Sequence, residues 1–339
     1  MFLFERNSAK ALVGGAVWLL VLPFSLSDSP EGELIQRILL LGVLVIVPLG
    51  LALIDTISAR SSAFLNIAAA SQPFAALAVI ISSFLDPGIS AAGLALPWLI
   101  TTSLIGLDGL IRLGRLRNAS GSAFTTLPVL AAMIYLPVGA VWLIMSRLGI
   151  QPLGFGETIV LLTAVHFHFA GFAAPLLTGL TGHHLPASSK TRPIYLLAVV
   201  GVIAGTPLVA AGIPFSPLLA LVGAIVISIG LVCLVLTNIT WILPFTSTLL
   251  PKTLMVISSV SVIPAMALAG VYAYSIVFHK LIVDIPQMAM THGVINAFGF
   301  ALCGLVAWVL LLSRSEKTSL DVDATSLLKN GSQPGPTSG

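Results

Sequence analysis

Charge is what this 339-residue sequence has least of. Only 8% of its residues are Asp, Glu, Lys or Arg, against roughly 25% in an ordinary soluble domain. Apolar residues make up 57%, and the mean hydropathy is +1.08. A soluble protein of this size needs far more polar surface, and a nucleic-acid-binding domain needs a basic face. A disordered chain would carry fewer apolar residues. All three are excluded, so the sequence describes a polytopic helical membrane protein. Cysteine is also scarce. Cys233 and Cys303 both fall inside apolar runs, with no disulfide framework and no CxxC spacing. Known chemical motifs are missing as well. There is no Walker Gly-x-x-x-x-Gly-Lys, no His-Glu-x-x-His and no Gly-x-Ser-x-Gly. Nor is there a paired-aspartate magnesium motif or a regular arginine array.

What is present is a series of long apolar stretches. A helix needs about 20 apolar residues to cross a hydrocarbon core of about 30 Å. The sequence predicts ten spans, near 10–26, 34–55, 63–85, 89–111, 125–146, 157–180, 193–212, 216–243, 253–277 and 287–312. They form one all-α transmembrane domain over 1–314, followed by a polar, disordered cytoplasmic tail over 315–339. The first stretch also has the basic flank and small-residue end of a signal peptide, with Ser25-Leu26-Ser27 before Asp28. Basic residues set the orientation. With the N-terminus inside, 12 Lys and Arg fall in inner segments and only Arg37, Arg147 and Lys280 in outer ones. Both termini are therefore expected in the cytoplasm, with the protein in the cytoplasmic (inner) membrane. Trp142, Trp241 and Trp308 fit interface belts.

Ionisable side chains within a bilayer are costly and mark function by default. All six histidines follow residue 165. In the sixth span, Glu157 opens the helix, His166 lies roughly 13 Å in and His168 roughly 16 Å in. Two residues apart on a helix means about 200°, so the two imidazoles cannot face one pocket. His-x-His is therefore a poor metal pair here, and a haem or metal site on His166, His168 and His292 ranks last among the readings. Glu157 and His168 share a face, which Leu161, Ala164, Gly171 and Pro175 continue. In the last span His292 lies roughly 8 Å in and Asn296 roughly 14 Å in, also on one face. Gly293, Ala297 and Ala301 form a small-residue stripe beside them. His183 and His184 fall in an inner loop, and Asp108 and Arg112 make a local ion pair.

The strings Thr163-Ala164-Val165-His166-Phe167-His168-Phe169-Ala170-Gly171-Phe172 and Thr291-His292-Gly293-Val294-Ile295-Asn296-Ala297-Phe298-Gly299-Phe300 resemble the YndJ-like family of bacterial membrane proteins. The likeness covers about 157–305. It implies a bacterial multi-pass protein and brings no catalytic residues with it.

The residues themselves point to a site made of His168, Glu157, His292, Asn296 and His166. The first reading is an enzyme performing acid–base isomerisation or cyclisation on a lipophilic small molecule. Histidine titrates near neutrality, and a buried Glu can hold its proton. The second is a secondary transporter that binds substrate or protons with the same side chains. No cofactor, metal, nucleic acid or protein partner is implied beyond the lipid bilayer. In this reading His168 and His292 line one cavity open to the outer leaflet.

Overall fold

A computed structural model describes residues 2–57, 62–116, 123–186 and 188–313, and these are helical, with no strand among them. Ten helices follow in order: α1 Phe2–Val21, α2 Pro30–Ile57, α3 Ala63–Ser83, α4 Ile89–Leu116, α5 Ala123–Leu148, α6 Glu157–His183, α7 Arg192–Phe215, α8 Pro217–Phe245, α9 Leu249–Val277 and α10 Ile285–Ser313. Among the described residues, α2 to α10 are each long and apolar enough to cross a membrane. The protein is a multi-pass helical bundle. The expected disordered tail, 315–339, lies outside the described residues.

The first helix starts eight residues earlier than hydropathy suggests, because Glu5, Arg6 and Lys10 are built into it. It packs into the bundle. Phe4, Asn7 and Ala11 are buried, and the Trp18 indole N–H donates to the Arg37 carbonyl at 2.7 Å. Just beyond its C-terminal end, Glu33 of α2 accepts from the Leu26 and Ser27 amides and pairs with Arg37 at 2.8 Å.

The centre of the bundle is α2, the most enclosed helix, whose stretch from Ile38 to Ile54 is apolar throughout. The helix beside it, α6, is the second most enclosed. The tightest pair is α7 with α8, joined by Ser216 alone. There the backbones nearly touch: a Cβ on Gly201 would lie 2.5 Å from the Gly230 Cα. Glycine at both positions is what permits that approach.

Prolines shape most of these helices, and each removes one backbone donor. In α2, α6 and α8 the preceding turn widens to an i→i−5 bond. Val47, Ala174 and Leu243 donate to Gly42, Phe169 and Asn238, each immediately before Pro48, Pro175 or Pro244. The wider turn relieves the clash between the ring and the carbonyl four residues back. At three others, Pro73, Pro128 and Pro207, the proline leaves a carbonyl without its usual partner, and another helix supplies one. Lys10 of α1 donates to the Ala69 carbonyl, four before Pro73. Tyr195 of α7 donates to the Phe124 carbonyl at 3.2 Å, four before Pro128. Tyr135 of α5 donates to the Ile203 carbonyl at 2.9 Å, four before Pro207. A freed carbonyl in lipid costs several kcal/mol unless a neighbour answers it, by about the penalty of an unmade bond.

Candidate functional site

The wide turn of α6, Phe169–Ala173, follows directly on the His166-Phe167-His168 segment, so both histidines sit on the last regular turn before it. As their 200° separation requires, they face opposite ways.

His168 faces inward. It is 0% exposed and lies against Gly139 of α5 and Gly42 of α2. Its Nδ1 contacts the Ala164 carbonyl at 2.8 Å, and Trp98 Nε1 lies 3.0 Å from its Nε2. A carbonyl only accepts, so Nδ1 carries the proton. The indole only donates, so Nε2 carries the lone pair. Both nitrogens are satisfied in the neutral ring. The Trp98 and His168 rings are stacked with centroids 5.8 Å apart, which ties α4 to α6.

His166 faces the other way and is exposed. Its Nδ1 donates to the Leu162 carbonyl at 2.7 Å. Its ring stacks on that of His292 from α10, with centroids 6.4 Å apart and planes 25° apart. His292 Nδ1 donates to the Ala265 carbonyl of α9 at 2.8 Å. Asn296, one turn on, donates from Nδ2 to the His292 carbonyl at 2.9 Å and lies 3.2 Å from His292 Nε2. The last helix holds i→i−5 turns over Ala289–Gly293 and Ile295–Leu302.

Of the five expected site residues, His166, His292 and Asn296 come together where α6, α9 and α10 meet. The expected sharing of a cavity by His168 and His292 gives way to a His166–His292 pair, because only one face of α6 can turn to α10. Glu157 is exposed at the first residue of α6. It stands about 13 Å along the axis from His166 and about 16 Å from His168 at 1.5 Å per residue, too far to exchange a proton with either. Among the described residues no group of three or more His, Cys, Asp or Glu could hold a metal ion.

Three side chains carry more than their sequence positions suggest. Trp98 is one, and an indole N–H at mid-span needs an acceptor, which is the signal that leads to His168. Arg147 is another. It is no outer-loop charge but a residue 6% exposed, whose guanidinium donates to the Ser82 carbonyl at 2.9 Å and to that of Leu85. A cation at the carbonyl end of α3 suits the helix dipole. Trp308 is the third. It is 2% exposed rather than part of an interface belt, and its ring centroid lies 4.7 Å from that of His184. Asp108 and Arg112 pair at 2.7 Å.

A family model described as YndJ-like protein matches residues 37–300, a range that includes both strings around the paired histidines. An uncharacterised membrane protein, YndJ of Bacillus subtilis (strain 168), is 28% identical over 290 residues, which is 84% of this chain and 50% of that protein. The chain thus spans about half the length of the curated relative it matches. No solved structure matches.

Proposed function

The chain belongs to the YndJ-like family of membrane proteins, and on that premise we propose that it is an integral membrane enzyme performing acid–base chemistry on a lipophilic small molecule, with His166 as the reacting base. The supporting observation is the His166–His292 pair: two neutral imidazoles from different helices, each anchored through Nδ1 on a carbonyl. Anchoring at Nδ1 fixes the tautomer and leaves the His166 Nε2 lone pair open. The position is about 13 Å below the start of α6, level with the hydrocarbon core. In an isomerisation, His166 Nε2 takes a proton from one substrate carbon and returns it to another, so no co-reactant is consumed. His292 and Asn296 hold the facing side of the site. His168 positions α6 through Trp98 and takes no part in the proton transfer.

The test uses purified protein in detergent, where no gradient exists, with a lipid extract of the native membrane as substrate pool. Conversion of a component, followed by mass-resolved chromatography, is expected. His166→Ala should lower the rate by about 10²–10⁴-fold, the usual contribution of a positioned base. Unchanged turnover in that variant would remove His166 from the role.

Transport is the second reading, supported by the wide turns that interrupt α2, α6, α8 and α10 along their length. Discontinuous helices are where transporters place substrate and ions. Gradient-driven uptake of an unmodified component into sealed liposomes, lost in His166→Ala, would favour it over the enzyme.

A further inference from the structure

Hydrogen bonding around the paired histidines determines which atoms a ligand can meet. His166 and His292 each spend their single N–H on a carbonyl, those of Leu162 and Ala265. Asn296 Nδ2 spends its protons on the His292 carbonyl and on the ring nitrogen. The nearby hydroxyls are committed too. Thr163 donates to the Ile159 carbonyl at 2.7 Å, and Thr291 to that of Gln287 at 2.6 Å. What remains toward a ligand are lone pairs, on His166 Nε2 and Asn296 Oδ1. On α6 and α10 the site therefore offers acceptors and no donor.

An anionic headgroup, carboxylate or phosphate, would bring further lone pairs against these two acceptors. A cation would be accepted by lone pairs, but Glu157 is about 13 Å away along α6, and an uncompensated charge at this depth is costly. A neutral donor satisfies every condition. We propose that the His166–His292–Asn296 cluster binds the hydroxyl of a neutral lipophilic alcohol or phenol, with the O–H donated to His166 Nε2. The exposure of His166 gives such a molecule a way in from the surrounding bilayer. This ligand class rests on the reading of the cluster as a ligand site, and it narrows the substrate of the proposed enzyme to one carrying a hydroxyl.

The test compares two probes that differ only in the donor, 4-nonylphenol and 4-nonylanisole. The full chain is labelled with ring-¹⁵N histidine and placed in lipid nanodiscs. The phenol should shift one imidazole Nε2 resonance, assigned to His166 by its loss in His166→Phe. It should also bind at least about tenfold tighter than the ether, as a site built to accept a hydrogen bond discriminates against a molecule lacking one. Equal binding of the two, or a phenol that shifts no Nε2 resonance, would overturn the proposal. The wild-type comparison decides this even if His166→Phe fails to fold. The two readings separate cleanly. Phenol binding with no conversion of any native lipid would sink the enzyme and keep the ligand class. Conversion of native lipid without a phenol preference would sink the ligand class alone.

Discussion

Two histidines separated by one phenylalanine meet opposite fates. His168 has a partner on each nitrogen and no exposure, which is the state of a packing residue. His166 keeps one nitrogen for the neighbouring histidine's side of the helix. Their opposition was legible in the sequence, since two residues turn a helix by about 200°. Which of them faces the interior was not. In a bilayer both lipid and core are apolar, so the pattern of apolar residues does not rotate a helix as it does at a water surface. That is why His168, Glu157 and His292 fall on plausible faces in sequence yet do not assemble. The stability consequences differ accordingly. Trp98→Phe should leave His168 Nε2 buried without its donor and cost about 1–3 kcal/mol, the penalty for an orphaned polar atom. His168→Ala should cost about 2–5 kcal/mol through the cavity it adds. His166→Ala should change stability by less than about 1 kcal/mol, because an exposed ring leaves no cavity. Thermal unfolding in one detergent checks all three. A larger loss at His166 than at His168 would reverse the assignment of roles.

At the scale of helices, the prolines are the organising residues. At six of them the bundle repairs the interrupted ladder, by widening the turn before Pro48, Pro175 and Pro244 and by reaching across from another helix at Pro73, Pro128 and Pro207. The prolines were plain in the sequence, but their partners were not: Tyr135 lies 68 residues from the carbonyl it caps, and Tyr195 lies 71 from its own. No periodicity connects positions so far apart. The repair can be isolated by a double-mutant cycle. Tyr135→Phe removes the donor to the Ile203 carbonyl and should cost about 1–3 kcal/mol, since the carbonyl is then unanswered. Pro207→Ala restores an N–H able to close the ordinary i→i−4 bond to that same carbonyl. In the Pro207→Ala background the Tyr135→Phe cost should therefore shrink to about a third or less, measured by unfolding of all four proteins. Equal costs in both backgrounds would show that the tyrosine acts through packing alone.

For the molecule as a whole, ten helical stretches were readable because crossing a bilayer imposes a minimum apolar length, a constraint that needs no knowledge of neighbours. The first helix was misplaced at its start because its three charged residues look like a boundary. One of them, Lys10, instead finds a carbonyl four before a proline. Orientation is expected from the basic residues near the helix ends. Of the three basic residues on the expected outer side, Arg147 is enclosed on the α3 carbonyls and Arg37 is paired with Glu33, which leaves Lys280. Retention of Lys and Arg on the cytoplasmic side predicts that both termini lie inside. Single cysteines in a background where Cys233 and Cys303 are replaced by Ala test this in intact cells with a membrane-impermeant thiol reagent. Cysteines at Asp28, Asp86, Gln151 and Lys280 should react. Those at Ser189 and Ser247 should react only after the membrane is opened. A complete inversion of the two sets would overturn the orientation and keep the bundle. An unreactive Asp28→Cys beside three reactive outer positions would mean that α2 does not cross as drawn. A reactive Ser189→Cys in sealed cells would mean that α6 and α7 are not separate crossings, and the path of the chain through the membrane would have to be redrawn from that loop onward.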